Sequence, residues 1–321
     1  IRIAARPIRV EGPARGLTVG WPRDRAGGAD AAGRRLSFRS AADELGVTQG
    51  AVAQQVRQLE ELGVEVTSHR PLIRIHHRYP DRHVLLDVHR VDAWAGEPHG
   101  REAQPLLWVR PEALNDRPMP PADEPIVRAL QLPSRYVITP PAVGDSATFL
   151  RELKHSLDGG MRLLQLRLFD LSDADLRRLG RAACELCHEH DARVLLNGAP
   201  DVATAIGADG VHLNSRALDQ FDRRPVNDGD LLAASCHSAA QLARAERLGA
   251  DFALLSPVLP TQSHPGAEPL GWTELASMVD ESSLPVFALG GMSPALVETD
   301  WAHGGQGVAG IRGLWGHDAT R

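Results

Sequence analysis

The chain has 321 residues, enough for about two domains. Hydrophobic residues make up 43% and charged residues 24%, a composition that is typical of a globular protein. The formal net charge of −6 excludes a global electrostatic attraction to nucleic acid or to an anionic membrane. Three cysteines do not make a disulfide framework, and no stretch approaches the roughly 18 apolar residues of a membrane span. We therefore expect a cytoplasmic protein without a membrane partner.

Residues 1–35 are rich in Arg, Gly, Ala and Pro and have little hydrophobic periodicity, so we expect them to be disordered. Residues 36–62 instead follow the pattern of helix, turn and helix. Ala42 and Val52 are spaced to pack two helices together, and Gly46 permits a tight turn between them. The pattern predicts a helix-turn-helix-like segment at this point of the chain.

The hydrophobic pattern changes after this segment. Residues 64–110 alternate apolar and polar side chains, as strands do. The runs that carry the alternation are Pro71–His77, Val84–Val91 and Leu106–Val109. A short amphipathic helix is predicted from Glu124 to Leu130. We therefore expect a small α+β domain over residues 60–132.

From residue 135 onward, short apolar runs alternate with amphipathic stretches. The predicted strands are Tyr136–Thr139, Arg162–Arg167, Arg193–Asn197, Gly210–Leu213, Leu231–Cys236, Phe252–Ser256, Pro285–Leu289 and Gly307–Ile311. Between them, Asp173–His190 and Ala239–Gly249 are predicted helices. This alternation over residues 135–315 is typical of a (β/α)₈ TIM barrel, and a doubly wound open sheet is the alternative.

Polar residues end most of these strands, and in a barrel the carboxyl ends of the strands form the mouth of the site. Gln165 and Arg167 alternate along one strand, so both are predicted to point inward. Arg167 offers a planar fork of donors that suits phosphate or pyrophosphate. The other candidates at strand ends and in the loops after them are Asn197, His212, Asn214, Ser235, His237, Ser256, Thr261, Ser263 and His264.

Two glycine-rich stretches lie at the last two predicted strands, Ala288–Ser293 and Gly307–Gly313. Glycine lets backbone N–H groups approach a phosphate closely, and the last two loops of a barrel commonly build such a cup. The predicted phosphate-binding residues are Gln165, Arg167, Asn197, Ser256, Thr261, Ser263, Gly290, Gly291, Gly310 and Arg312.

The segment from residue 135 to 315 resembles thiamine phosphate synthase and its relative, the thiazole tautomerase. The matching stretches agree in order and spacing: Leu164–Arg167, Ala208–Leu213, Ser235–Ser238, Gly249–Asp251, Ser256–Thr261, Pro269–Trp272 and Ala288–Gly291. The resemblance implies a barrel that binds a phosphorylated thiazole and a pyrimidine pyrophosphate. It also implies Mg²⁺ on the pyrophosphate that leaves.

Several positions depart from the synthase pattern. The family continues its Gln-Leu-Arg stretch with an acid and a lysine, where Leu168 and Phe169 stand here. Gly198 replaces the acid of a later Asn-Asp-Arg stretch, and His264 replaces the lysine of the threonine loop. Because pyrophosphate departure needs this charge neutralisation, we expect weak or absent synthase activity. A tautomerase-like proton transfer with His237 as acid and base, or a non-catalytic phosphate-ligand sensor, is compatible with these losses.

Glu60–Val66 resembles the end of a Nudix box, whose glutamates hold Mg²⁺ against a nucleoside pyrophosphate. Gly96–Val109 resembles the strand and loop that follow in MutT-type 8-oxo-dGTP diphosphatases. The resemblance implies metal ligands at Glu60, Glu61 and Glu102, of which Glu61 and Glu102 are also assigned to catalysis.

The Nudix resemblance is incomplete. The front of the domain has no counterpart in the sequence, and Asp123 stands where the MutT type reads the oxidised purine with an asparagine. An aspartate accepts hydrogen bonds but cannot donate as an amide does. We therefore expect a truncated Nudix-like domain with impaired hydrolysis.

In place of that front, Ser37–Glu60 resembles the helix-turn-helix of LysR-type regulators. This resemblance implies that Gln49, Gln54 and Arg57 face a DNA major groove. The linker helix and effector domain that normally accompany this module are absent, so a DNA-binding fragment is only the alternative function. We expect the partner to be a small phosphorylated metabolite or a nucleotide, and the sequence leaves the oligomeric state open.

Overall fold

The structure is a computed structural model that describes residues 2–4, 62–79, 83–99, 106–140, 144–261 and 266–315. It forms two compact units, one of residues 1–131 with 301–304 and one of the remainder. The predictions for residues 5–61 lie outside the described ranges. So do those for Glu102, Ser263 and His264. Among the described residues, no helix is long and apolar enough to cross a membrane.

The first unit contains an antiparallel sheet in the order β1-β3-β2. Its strands are β1 (Arg2–Ala4), β2 (Glu65–Arg78) and β3 (His83–Ala95). Apolar side chains of β2 and β3, such as Ile75 and Val88, lie on one face of the sheet. They pack against Ile126 of helix α1 (Glu124–Gln131), so the predicted short helix covers the sheet.

The strand predicted at Leu106–Val109 is wrong, because these residues have no regular secondary structure. Leu107 is 67% exposed and Trp108 is 58% exposed. Trp108 stacks on Trp94 of β3 with the ring centroids 6.1 Å apart. The apolar residues at 106–109 were therefore a misleading signal for a strand, because two neighbouring side chains, Leu107 and Trp108, are both exposed.

The second unit is a closed barrel of parallel strands in the order β10-β11-β4-β5-β6-β7-β8-β9. The strands are β4 (Arg135–Ile138), β5 (Leu163–Leu166), β6 (Arg193–Leu196), β7 (Gly210–Leu213), β8 (Leu231–Cys236), β9 (Phe252–Leu255), β10 (Val286–Leu289) and β11 (Gly307–Gly310). The helices between them are α2 (Ser146–Asp158), α3 (Asp173–His188), α4 (Pro200–Ile206), α5 (Ser215–Leu218), α6 (Ala239–Arg247), α7 (Gly271–Asp280) and α8 (Val297–Ala302).

The predicted (β/α)₈ TIM barrel is confirmed. Each predicted strand is found within one residue of its predicted ends. Val308 of the last strand pairs with Arg135 of the first, which closes the sheet and excludes the open doubly wound alternative.

The barrel buries two apolar clusters, one inside the sheet and one between sheet and helices. Tyr136, Phe252 and Phe287 belong to the inner cluster, and their rings contact one another. The neighbouring residues on the same strands, such as Val137 and Ala253, belong to the outer cluster. Side chains alternate between the two faces of a strand, so residues two positions apart point to the same side of the sheet. A polar residue at a strand end therefore reaches the interior when it lies an even number of positions from an inner-cluster residue.

Four helices that follow strands begin with a side chain that accepts a backbone N–H. Asp145 begins α2, Ser172 begins α3, Asn214 begins α5 and Ser238 begins α6. Such caps each stabilise a helix by about 1 kcal/mol. Asn214, which the sequence marks as a mouth residue, is thus engaged with the backbone N–H of Ala217 at 2.9 Å.

Candidate functional site

Two amide side chains meet where β5 and β6 end. Gln165 is 3% exposed, and its Oε1 accepts a hydrogen bond of 2.9 Å from Nδ2 of Asn197. Nε2 of Gln165 is buried and has no hydrogen-bond partner among the described residues. A buried donor of this kind costs free energy unless a ligand or water accepts from it. The structure thus brings together two predicted site residues. The Gln165 side chain also lies close enough to the Tyr136 hydroxyl to lower its pKa against the larger rise that burial causes.

A chain of three polar side chains runs through the barrel interior from β4 to β8. The Tyr136 hydroxyl lies 3.3 Å from Nδ1 of His212, and Nε2 of His212 lies 2.8 Å from Oγ of Ser235. Tyr136 and His212 are completely buried, whereas Ser235 is partly exposed. Desolvation by burial, together with the positive charge of Arg167, lowers the pKa of His212 to about 3. His212 is therefore neutral at physiological pH.

Arg167 follows β5 and is half-buried. Its backbone N–H donates to Oγ1 of Thr139 at 2.8 Å, which ties the ends of β4 and β5 together. Its guanidinium carbon lies 5.0 Å from the ring centre of Phe169, a side chain that is 52% exposed. Nε of Arg167 is buried without a hydrogen-bond partner in the described part of the chain, and desolvation lowers the pKa of this side chain.

His237 and Ser256 form the second group of polar side chains, after β8 and β9. Nδ1 of His237 lies 2.8 Å from the carbonyl oxygen of Ser256 and 3.3 Å from its hydroxyl. A carbonyl oxygen only accepts, so Nδ1 carries the proton in this contact. Nε2 of neutral His237 is then a base, and the side chain is exposed toward solvent. This arrangement suits proton transfer.

The loops after β9 and β10 pack tightly through two glycines. Gly290 and Gly291 have φ angles of 100° and 68°. A Cβ atom at Gly291 would come within 2.8 Å of Leu259 and 2.9 Å of the Pro260 carbonyl. Both the backbone conformation and the space therefore require glycine.

The loop after β11 approaches the same region. A Cβ atom at Gly313 would collide with the carbonyl oxygen of Met292, and one at Gly310 would lie 3.8 Å from it. Arg312 lies exposed in this loop, and Thr261 lies partly buried in the loop after β9. The loops after β9, β10 and β11 are thus neighbours, as a phosphate cup requires.

The polar residues that line this mouth do not form a magnesium site. They are amides, hydroxyls, imidazoles and the guanidinium groups of Arg167 and Arg312, whereas Mg²⁺ prefers carboxylate oxygens. Among the described residues, no three His, Cys, Asp or Glu side chains are placed to hold a metal ion. The donor set of the barrel therefore does not fit the cation that the family resemblance implies.

Sequence reasoning missed Tyr136 and Thr139 as parts of this site. Tyr136 looks like an ordinary strand residue, and Thr139 like the last residue of the same strand. Their contacts cross from β4 to β7 and from β4 to β5, so only strand order could have indicated them. The sequence offered one signal for Tyr136: like Gln165, it lies at a strand position whose side chain points into the barrel.

Comparison with known proteins agrees with this architecture. A family model described as thiamine monophosphate synthase matches residues 135–314, which is more than half of the chain. The chain belongs to the thiamine monophosphate synthase family. A second model, described as NUDIX domain, matches residues 37–129, so the chain carries a NUDIX domain as well.

Relatives of this thiamine monophosphate synthase family member align with the barrel. A provisionally named thiamine-phosphate synthase 2 of Aquifex aeolicus is 36% identical over 183 residues, which cover 57% of this chain and 97% of the relative. Thiamine-phosphate synthase of Methanoculleus marisnigri is 37% identical over 183 residues, covering 56% and 87%. The solved thiamine phosphate pyrophosphorylase of Pyrococcus furiosus is 26% identical, with a TM-score of 0.49 over 58% of this chain and 89% of that one.

The two resemblances read from the sequence, to the synthase family and to the Nudix family, are confirmed by these matches. The NUDIX match begins at residue 37 and so includes the segment that resembles a LysR-type helix-turn-helix. No finding supports the LysR resemblance. The assignments of Glu60, Glu61 and Glu102 stay predictions.

Proposed function

We propose that the barrel binds a small heteroaromatic monophosphate of the thiazole phosphate type and that its pyrophosphate-transfer chemistry is weak or absent. The proposal rests mainly on the lack of a lysine at the mouth of the barrel. Lys154 is the only lysine of the chain, and it lies on α2, where Nζ is 2.8 Å from Asp158. A lysine that neutralises a leaving pyrophosphate is therefore not available to the barrel mouth.

The residue that stands in the lysine position supports the same conclusion. Phe169 offers an exposed ring beside the Arg167 guanidinium instead of a second positive charge. An aromatic ring carries no positive charge, so Phe169 cannot neutralise a second phosphate as a lysine would. Arg167 remains able to bind one phosphate or another anion through its donor fork.

The chemistry that this site supports best is proton transfer. Nε2 of His237 is available as a base because Nδ1–H is held by Ser256. An isomerisation that moves a proton needs one group that takes the proton and returns it, and it breaks no bond to phosphate. The alternative is a non-catalytic sensor, which would use the same phosphate cup without turnover.

For the NUDIX part we propose binding of a nucleotide with impaired hydrolysis. Glu60, Glu61 and Glu102 are the only glutamates that match metal-linked positions of the family, and a Nudix reaction needs several carboxylates around Mg²⁺. Any role of Mg²⁺ in this protein belongs to that part of the chain.

Calorimetry with 4-methyl-5-hydroxyethylthiazole phosphate tests the proposal. We expect binding to the wild-type chain and at least tenfold weaker binding to Gly291→Asp. A side chain at this position collides with Leu259 and the Pro260 carbonyl, and the aspartate adds a negative charge beside the loops that are proposed to bind phosphate. A parallel assay with the pyrimidine pyrophosphate should release little pyrophosphate. Absence of binding, or rapid release of pyrophosphate, would reject the proposal.

A further inference from the structure

Two histidines meet on the antiparallel sheet of the first unit. His69 lies on β2 and His89 on β3, and the pairing of these strands places Pro71 opposite His89 and Val91 opposite His69. The two imidazoles therefore approach each other from diagonal positions. Their Nδ1 atoms are 3.1 Å apart, and their ring centroids are 5.0 Å apart with the ring planes inclined at 63°.

A buried carboxylate lies at the other nitrogen of His89. Leu86 and Val88 of β3 pack in the apolar cluster with α1, so Asp87 and His89, which alternate with them, lie on the opposite face of the sheet. Oδ1 of Asp87 is 3.9 Å from Nε2 of His89 and 3.9 Å from Nε of Arg74. A carboxylate beside Nε2 favours the tautomer that carries its proton there, and the lone pair of His89 is then on Nδ1.

The contact between the two rings can convert into a pair of ligands. Two ring nitrogens at 3.1 Å form a hydrogen bond when one of them carries a proton. Since Nδ1 of His89 accepts, Nδ1 of His69 donates. A neutral imidazole also exists with its proton on Nε2, and this change at His69 makes both Nδ1 lone pairs available to one ion without loss of a proton from the protein.

The distance between the two nitrogens matches the spacing of ligands on one transition-metal ion. Zn²⁺ binds imidazole nitrogen at about 2.0–2.1 Å, so two nitrogens on a tetrahedral ion are about 3.3 Å apart, and on an ion with right-angled bonds about 2.9 Å. The observed 3.1 Å lies between these values. We propose that His69 and His89 bind a divalent ion of the Zn²⁺, Cu²⁺ or Ni²⁺ class, with Asp87 as the carboxylate that orients His89.

The donor set selects this class of ion. Imidazole nitrogen suits Zn²⁺, Cu²⁺ and Ni²⁺, whereas Mg²⁺ and Ca²⁺ take oxygen ligands. Within the described ranges no three His, Cys, Asp or Glu side chains are placed to hold a metal ion, so water completes the coordination of an ion on this pair. Its binding should therefore be reversed by a chelator. The ion differs in chemistry from the Mg²⁺ that the NUDIX resemblance implies.

Calorimetric titration of the metal-free, full-length chain with ZnCl₂ at pH 7.5 tests the site. We expect the tightest zinc site to weaken about tenfold or more in His69→Asn, in His89→Asn and in Asp87→Asn, the last because removal of a carboxylate behind a metal-bound histidine has this effect. His76→Asn is the matched control, since His76 is an exposed histidine on the same strand as His69. Its zinc affinity should stay within twofold of the wild type.

Pulsed EPR of the protein with one equivalent of Cu²⁺ counts the imidazoles on the ion. We expect two in the wild type and in His76→Asn, and one in His69→Asn. One imidazole or none in the wild type would overturn the proposal, because the hydrogen-bonded pair would then be only a contact between strands. Zinc affinity that is unchanged in both His69→Asn and His89→Asn would overturn it as well.

Urea unfolding separates loss of the site from loss of the fold. In EDTA, His69→Asn should unfold at the same urea concentration as the wild type, because the removed hydrogen bond lies at the surface of the sheet. On addition of Zn²⁺ the wild type should gain stability and His69→Asn should not, since only a protein that binds the ion in its folded state is stabilised by it. An equal gain in both proteins would place the zinc elsewhere and overturn the proposal.

Discussion

At the residue scale, His237 and His212 illustrate how two imidazoles in one barrel acquire different uses. His212 is sealed in the interior and kept neutral by burial, with both ring nitrogens engaged. His237 is exposed, and only its Nδ1 is held, by Ser256. An imidazole with one committed nitrogen and one available nitrogen can accept and return a proton. His237 is thus the better candidate for chemistry, although it is the pKa of His212 that burial lowers.

Replacing His237 by Asn should remove proton transfer while sparing ligand binding. Asparagine keeps a donor near the Ser256 carbonyl but has no titratable nitrogen. We expect turnover of a thiazole phosphate isomer, followed by NMR, to fall about 10²-fold to 10⁴-fold, the usual contribution of a general acid–base group. The dissociation constant should change less than threefold.

His188→Asn is the matched control. His188 lies on the outer helix α3, 3.1 Å from Asp209, and is half-exposed. Its replacement should leave both turnover and binding unchanged. If His237→Asn isomerises the thiazole phosphate as fast as the wild type does, His237 is not the acid–base group. If the wild type binds the thiazole phosphate but does not isomerise it, the sensor interpretation replaces the enzymatic one.

At the element scale, the barrel was the most predictable part of the chain. Its strands are short apolar runs with caps such as Asp145 and Ser238 at the helices between them, and both signals are local in sequence. Gly290 and Gly291 were also recognisable in the sequence, because backbone with a positive φ angle favours glycine. Their role in phosphate binding stays a prediction. The contacts from Tyr136 to His212 could not be read this way, because 76 residues separate the partners and their register depends on closure of the sheet. Leu106–Val109 failed for the opposite reason: its local pattern has no partner strand in the described structure.

The glycine at position 291 provides a test of the predicted cup. Gly291→Ala adds one methyl group within 2.8 Å of Leu259 at a φ of 68°, so the loops after β9 and β10 must separate. We expect phosphate affinity, measured by calorimetry, to fall at least tenfold.

Gly207→Ala is the control for this test, because it strains the backbone without moving the loops that are predicted to form the cup. Gly207 has a φ of 76° at the end of α4, and a Cβ atom there would meet nothing within 4 Å. It should cost about 1 kcal/mol in stability and leave phosphate affinity intact. Equal loss of affinity in both variants would mean that general destabilisation, and not the shape of the cup, controls binding.

At the scale of the whole molecule, the buried neutral His212 makes stability depend on pH. The unfolded chain binds a proton at this residue below about pH 6.5, whereas the folded chain does so only near pH 3. The unfolded state therefore binds more protons between these values, and the free energy of unfolding falls as the pH is lowered through this window. The loss reaches about 2 kcal/mol at pH 5, from roughly 1.4 kcal/mol per pH unit.

Urea unfolding of the wild type and of His212→Gln at pH 7.5 and pH 5.0 measures this contribution. The variant should be less stable at pH 7.5 but should lose less stability on acidification, because its side chain does not titrate. An aspartate carboxyl group ordinarily has a pKa near 3.8, so Asp145 and Asp158, whose pKa values are lowered further by hydrogen bonds, contribute little above pH 5. Identical pH dependence in the two proteins would show that His212 is not held neutral.

The two-part organisation of the chain makes a separate prediction for nucleotide chemistry. A NUDIX domain matches residues 37–129. The family resemblance predicts metal-linked positions only at Glu60, Glu61 and Glu102, and it predicts that Asp123 stands where the MutT type has a purine-reading asparagine. Mg²⁺ held by few carboxylates neutralises a leaving pyrophosphate poorly. We expect slow release of pyrophosphate from 8-oxo-dGTP in the presence of Mg²⁺, at a rate that Glu61→Gln does not lower further. Turnover near that of an intact diphosphatase, abolished by Glu61→Gln, would instead mean that residues 37–129 assemble a complete active site and that the sequence departures at their front are compensated within the fold.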